Sequence, residues 1–267
     1  MELSKNRTFF FDLDGTLWNW DEFKPGALDP LESLKSAGRN IYFHTDNTLH
    51  DREGYARKLS KMGFETDKDQ IITSGFIASK VLNGKDVTKA YVVGESGLVS
   101  EIQDSGIEIS ADAKYAVLGL DRSFSYDKLE KLRRIAANGG QVLACSNERF
   151  FSRKDRTQVH QKALNSAVKE FTDPKLVGKP SQDFIDSFKN YFSYFPGKSV
   201  FIGDRPSDIE PGNKLGMSTA AVMQGTLDEE PLSNLEGRQV PDYAPTSLAN
   251  HRTHFLQVTP RYTFPER

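Results

Sequence analysis

Short apolar runs alternate with amphipathic stretches over most of the chain. Thr8–Phe11 is a continuous apolar run, the mark of a strand covered on both faces. Pro30–Ala37 predicts a short helix with Asp29 as N-cap, Pro30 at its first position and Gly38 just past its end. Asn40–His44 predicts a second strand. The helix after it carries Tyr55, Leu59 and Met62 on one face, with Thr48 and Asp51 at capping-box spacing before it. Further along, AYVVG, YAVLGL and QVLACSN read as strands, and YDKLEKLRRIAANGG as an amphipathic helix ending in glycines. Thr157–Phe171 has a helical pattern, and LVGKP introduces a helix with Phe184, Phe188 and Phe192 at spacing four. SVFIGD is a buried strand ending in aspartate, TAAVM the last central strand, and PDYAPTSLANHRTHFL the last structured piece. Strand and helix in alternation predict an α/β protein built on a doubly wound parallel sheet.

A chain of 267 residues makes one large domain or two modest ones. The net charge of −2 gives no basic footprint, so nucleic acid is not an expected partner. No apolar stretch approaches bilayer length, and neither is a membrane. MELSKNR runs at once into the first strand, leaving no room for a signal peptide, so the expected compartment is the cytoplasm. The single cysteine, Cys145, excludes an internal disulfide or a multi-cysteine zinc site and reads as packing within a buried strand.

The chemistry gathers where apolar runs end. Asp12 and Asp14 stand after the first strand one residue apart, and on extended backbone their side chains share a side. Two carboxylates that close require a cation, a shared proton or full solvation. Thr45, Lys179, and Asp204 with Asp208 stand at other strand ends or helix starts, and ligands of open α/β sheets bind at the carboxyl ends of strands. Carboxylates from two strands supply the oxygens that magnesium prefers. Lysine adds a point charge for phosphate oxygens, and a threonine hydroxyl donates a hydrogen bond. The set predicts a phosphate cradle around Mg2+.

DLDGT, the strand ending in Thr45, the lysine of GKP and the GDxxxD of GDRPSD resemble the four motifs of the haloacid-dehalogenase-like hydrolase superfamily. PGALDPLESLKSAG, REGYARKLSKMGF, IITSG, YVVGESGL and GLDRSFSYDKL extend the resemblance to its subfamily IIA, from Phe9 to about Leu248. That group contains nitrophenyl-phosphatase-like, phosphoglycolate-phosphatase-like and glycerol-phosphate-phosphatase-like enzymes. The resemblance implies a Rossmann-like core and an aspartyl-phosphate mechanism, with Asp12 as nucleophile and Asp14 as acid and then base. It further implies magnesium held by Asp12, the Asp14 carbonyl and Asp204 with Asp208 nearby, and a phosphoryl group held by Thr45 and Lys179. Backbone N–H groups near Gly15 and Asp46 would assist. The chain departs from the subfamily where Asp46 replaces the usual asparagine. A carboxylate there would repel phosphate unless it turns away, so its side chain is expected to bond backbone N–H groups of its own loop or of the next helix. The fourth motif also has three residues between its aspartates where many members have four, and Arg149–Lys169 lacks the usual glycine-rich, acidic wording.

Thirty-one positions separate Asp14 from Thr45, and 134 separate Thr45 from Lys179. Only the second interval accommodates a further domain, so residues 76–174 are expected to form an inserted α/β cap between the core segments 1–75 and 175–267. In the family such a cap favours small soluble phosphoesters. Asp121, Arg122, Asn147 and Glu148 are its candidates for substrate contact, and Arg122 could pair with a substrate carboxylate. The expected partner is a small phosphorylated metabolite of the phosphoglycolate, glycerol phosphate or sugar phosphate class, with a homodimer left open. A dehalogenase needs neither a metal nor an acid at Asp14. A phosphomutase would more typically carry its cap between the first two motifs. A non-enzymatic phosphoacceptor module needs one compact domain and no Asp14.

Overall fold

The computed structural model describes residues 6–153, 156–222, 235–245 and 248. In chain order the elements are β1 Thr8–Asp12, β2 Trp18–Asn19, β3 Glu22–Phe23, α1 Leu28–Ser36, β4 Asn40–Thr45, α2 Arg52–Lys61, β5 Ile71–Thr73, α3 Ser74–Asn83, β6 Lys89–Val93, α4 Ser96–Asp104, β7 Glu108–Ile109 and β8 Tyr115–Leu118. They continue as α5 Tyr126–Ala137, β9 Gln141–Ala144, β10 Phe150–Arg153, β11 Arg156–Val159, α6 Lys162–Lys169, β12 Lys175–Leu176, α7 Gln182–Tyr191, β13 Ser199–Gly203, α8 Pro206–Lys214 and β14 Ser218–Ala221. The chain divides into two compact units, one of residues 1–44, 59–66 and 192–267, the other of residues 45–58 and 67–191.

In the first unit the strand order runs β14-β13-β1-β4, every pair parallel. The apolar run seen in the sequence is its central strand. Phe9, Phe10 and Phe11 are fully buried, as a strand with neighbours on both edges and cover on both faces requires. Phe10 stands opposite Phe201 of β13 and Tyr42 of β4. Its ring meets Tyr42 at 5.1 Å and Phe192 at 5.3 Å between centroids. Burying each phenylalanine stabilises the unit by about 1.5–3 kcal/mol, which makes β1 a rigid post for the aspartate at its tip. Asp12, opposite His44, lies at the carboxyl end of that post, and β13 ends at Gly203, immediately before Asp204.

The second unit has its own sheet, in the order β12-β9-β8-β6-β7, again parallel throughout. Val93, Ala116, Leu118, Leu132, Ile135, Val142 and Val168 form its core. The expected α/β class with parallel sheets is therefore what the chain adopts.

Local departures have local causes. Helix α1 begins at Leu28, so Asp29 lies in the first turn and Pro30 at the third position, and the N-cap is Ala27 with no side-chain cap bond. The Pro25–Gly26 turn already reverses the chain there, and the Ala27 N–H is taken by the Lys24 carbonyl. Asp51 caps α2 through the Gly54 N–H at 2.6 Å, whereas the Thr48 hydroxyl accepts the Leu120 N–H at 3.1 Å. Met62 lies beyond the end of α2. The helical pattern from Thr157 holds only from Lys162, because Thr157 and Val159 pair with β10 in a hairpin, Val159 opposite Phe150. Phe192 stands just past the end of α7 and joins the Phe10 cluster, while Phe184 and Phe188 are buried within the helix. Of PDYAPTSLANHRTHFL, only residues 241–245 and 248 lie within the described part, where Tyr243 bridges Ala220.

Candidate active site

Two clusters account for the core motif residues, one in each unit. In the first, the chain leaves β1 and turns at once. The Leu17 N–H reaches the Leu13 carbonyl at 2.9 Å, and Gly15 sits at φ +86°. A side chain at Gly15 would be strained at that angle, and its Cβ would fall 2.5 Å from Asp204 Oδ2. The glycine therefore lets the DLDGT backbone lie directly against the Asp204 carboxylate.

The Thr16 hydroxyl joins the two ends, 3.2 Å from Asp12 Oδ2 and 3.0 Å from Asp204 Oδ1. One hydroxyl proton serves one oxygen at a time, so each carboxylate receives a shared bond. Asp12 and Asp208 are buried. Asp208 directs Oδ2 at the Asp204 and Arg205 N–H groups, at 3.2 and 3.1 Å, closing the start of α8 and fixing the backbone that carries Asp204. Burial pushes the Asp204 carboxyl up to about 6, opposed by Arg205 and reinforced by Asp208. Asp14 is half-buried and its Oδ1 accepts the Trp18 indole N–H at 3.0 Å.

Ligand atoms of Asp12, His44 and Asp208 lie within 4.8 Å of one another. Asp12 and Asp208, both buried, and half-buried Asp204 make an oxygen set of the kind a hard divalent cation takes. The chemistry of the donors thus fits magnesium.

Three residues of this cluster were not legible in the sequence. His44 is fully buried, stacks on Phe201 at 4.1 Å between centroids and brings Nδ1 to 3.7 Å from Asp12 Oδ1. Its register opposite Asp12 could have singled it out once β1 and β4 were paired. Trp18, four residues after Asp14, has a spacing that a turn after β1 would reveal. Lys24 is buried and its ammonium donates to the Gly15 carbonyl. Nothing in its surroundings, DEFKPG, announces it.

The second cluster is built on the loop after β4. The Thr45 hydroxyl accepts the Asn47 N–H at 3.1 Å, Asn47 Oδ1 accepts the Leu49 N–H at 3.1 Å, and Ser74 donates to the Asp46 carbonyl at 3.0 Å. These bonds hold the loop in one shape. Asp46 turns its carboxylate to the backbone N–H of Lys179, with its two oxygens at 3.1 and 3.0 Å. The expected target was an N–H of its own loop or of the next helix. The actual one belongs to the lysine motif, because Gly178 brings that segment close: a Cβ there would lie 2.0 Å from the Cys145 carbonyl and 2.9 Å from Asp46 Oδ1. Lys179 itself is buried.

The remaining candidates are engaged locally within the second unit. Asp121 pairs with Lys128 at 2.6 Å and accepts the Ser123 N–H and hydroxyl at 2.9 Å. Arg122 grips Glu95 with two nitrogens at 2.5 and 2.6 Å, and its hydrogen bond holds the Glu95 carboxyl below the usual carboxylate range. Asn147 Oδ1 accepts from Asn165 at 3.3 Å, and the Glu148 carbonyl accepts the Lys162 N–H at 3.0 Å. Among the described residues, no helix is long and apolar enough to cross a membrane.

Known proteins agree with this layout. The haloacid dehalogenase-like hydrolase family model matches residues 9–108, and a second model, HAD-hydrolase-like, matches residues 176–251. The sugar-phosphatase AraL of Bacillus subtilis is 29% identical over 226 residues, covering 82% of this chain and 83% of its own. The crystal structure of 4-nitrophenylphosphatase from Thermotoga maritima superposes with a TM-score of 0.84 at 24% identity, over 96% of this chain and 98% of that one. A glycerol phosphate phosphatase from Mycobacterium tuberculosis, solved in complex with magnesium, gives a TM-score of 0.83 at 20% identity, over 93% and 77% of the two chains. Motifs, fold and family models converge, and the chain belongs to the haloacid dehalogenase-like hydrolases, in their subfamily IIA.

Proposed function

We propose that the chain is a magnesium-dependent phosphatase that hydrolyses a small-metabolite phosphate monoester through an aspartyl-phosphate on Asp12. The observation that carries this reading is the cluster at the carboxyl end of β1 and β13, where the Thr16 hydroxyl joins buried Asp12 to half-buried Asp204 and buried Asp208 holds the Asp204 N–H. Like charges held so close are relieved by a cation, a shared proton or solvation, and of the cations a set of oxygen donors favours magnesium. The Asp12 carboxylate, the Asp14 carbonyl and Asp204 would hold the ion, which when bound draws charge from the transferring phosphoryl oxygens.

An oxygen of Asp12 attacks phosphorus while the bond to the leaving oxygen breaks, and Asp14 gives that oxygen its proton. The Trp18 indole, on Asp14 Oδ1, fixes the plane of this carboxyl group. Asp14 then takes a proton from water, whose oxygen attacks phosphorus and releases Asp12 and inorganic phosphate. Thr45 and Lys179 are assigned to the non-bridging phosphoryl oxygens. Residues 76–174 serve as the cap that restricts substrates to small phosphoesters. The sugar-phosphatase and glycerol phosphate phosphatase activities of the relatives support that class, and the compartment is the cytoplasm.

Asp12→Asn keeps the shape and removes the nucleophile, so turnover of a panel of small phosphate esters falls to background while circular dichroism is unchanged. Chelator abolishes wild-type turnover and magnesium restores it, whereas calcium, with its longer bonds and larger ligand number, restores little. Full turnover in chelator, or in pure Asp12→Asn protein, overturns the reading.

A further inference from the structure

Lys24 is a charged side chain in a place where charge is costly. It leaves the β2–β3 hairpin, is 6% exposed, and donates to the carbonyl of Gly15, the residue whose backbone lies against the Asp204 carboxylate. A buried ammonium persists where it is paired or hydrogen-bonded. The Gly15 carbonyl that accepts from it is neutral. Burial lowers its pKa and prevails, with Arg205 acting the same way, while the charges of Asp204 and then Asp12 oppose it and favour the ammonium. Lys24 therefore serves the same carboxylate cluster to which a metal is assigned.

We infer that the Lys24 ammonium is a resident counter-cation of the Asp12–Asp204–Asp208 cluster, holding it together without metal and setting a ceiling on its affinity for a divalent cation. This rests on the metal reading above. A monovalent charge fixed by the fold offsets part of the mutual repulsion of the carboxylates. It also repels an arriving divalent ion, since both positive charges act on one small, largely buried region. Without the lysine the cluster is less stable when empty and binds metal more tightly.

The test is calorimetric titration of substrate-free protein with magnesium, together with thermal melts in chelator and in magnesium, for wild type and three variants. Lys24→Met removes the charge and the hydrogen bond. Lys24→Gln removes the charge and keeps a donor for the Gly15 carbonyl. Lys24→Arg keeps the charge. Met and Gln should each lower the magnesium Kd at least about tenfold, a difference of about 1.4 kcal/mol. They should also lower Tm in chelator and widen the gain in Tm on adding magnesium. Arg should leave the Kd within about threefold of wild type by the same relation. If Met fails to fold, Gln alone decides. A Kd unchanged within twofold in the neutral variants, or tightened as much by Arg, overturns the inference and leaves the metal reading standing. Absence of magnesium binding in wild type with binding in the neutral variants supports the inference. Absence in all of them overturns both.

Discussion

Replacing Asp46 separates two uses of a carboxylate beside Thr45, a structural clasp and a contact with phosphate. In the structure both oxygens face one N–H, that of Lys179, at 3.1 and 3.0 Å. A single N–H has the capacity of one hydrogen bond, so Asp46→Asn keeps the acceptor and loses only the charge. Hydrogen bonds to charged groups contribute about 1.5–3 kcal/mol and neutral ones about 0.5–1.5 kcal/mol, so the substitution forfeits about 1 kcal/mol. Relief from burying a carboxylate offsets part of that. Asp46→Ala instead leaves the buried Lys179 N–H without this acceptor, at a cost of about 1–3 kcal/mol. Urea denaturation should therefore rank the proteins as wild type, then Asn close behind, then Ala clearly weaker. Steady-state phosphate release should show a KM for Asn within about threefold of wild type, under about 0.7 kcal/mol, and kcat nearly unchanged. If Asn is as destabilising as Ala, the charge itself holds the clasp. A KM that falls tenfold in Asn would mean that the carboxylate faces the phosphate, and the clasp would not be its role.

Two further outcomes come from the second unit. Glu101 receives the Arg52 side chain and backbone N–H, each at 2.9 Å, yet burial raises its carboxyl above the ordinary 4.5 despite Arg52. Glu101→Gln should cost about 3 kcal/mol in urea melts, at the low end for a broken buried pair, because Arg52 keeps Tyr191 Oη at 2.6 Å and its stack on Phe76. The pH dependence has a definite sign: with the folded-state pKa raised, the folded protein binds the proton more readily. The stability advantage of wild type over Gln should thus shrink as pH rises from about 4.5 through the raised value, and an advantage that grows over that range refutes it. Cys145 is fully buried, and burial with the nearby Asp46 charge pushes its thiol up. A thiol reagent at pH 8 should react with native protein far more slowly than with unfolded protein, and equal rates would refute the burial argument.

Legibility in the sequence tracked the range of the forces involved. Strand β1 was readable because three successive phenylalanines have one solution, burial on both faces. Asp12, Asp14, Thr45, Lys179, Asp204 and Asp208 were readable because each stands where an apolar run stops. The hairpin of β10 and β11 was hidden, since a short stretch ending in Thr157 and Val159 satisfies a helical pattern as well as an alternating one. Lys24, His44 and Trp18 were hidden for another reason. Their positions depend on how the chain turns after Asp12 and on which strand lies beside β1, neither of which a local period reports. Asp46 was half legible: its turning toward backbone stems from charge, but the choice of Lys179 over its own loop depends on a glycine 132 residues later in the chain.

The bonds that define the two clusters close very long stretches of chain. Asp46 and Lys179 are 133 residues apart, and Thr16 and Asp204 are 188 apart. Contacts of such separation are the slow ones to form, because the entropy of closing the intervening chain is lost before the contact rewards it. During synthesis the Thr16–Asp204 bond has no partner until residue 204 is made, and the Asp46 carboxylate none at Lys179 until residue 179 is made. These two bonds thus close only after most of the chain has been made. On refolding, phosphatase activity should lag behind the recovery of helical circular dichroism, and a chain stalled before residue 179 can close neither bond.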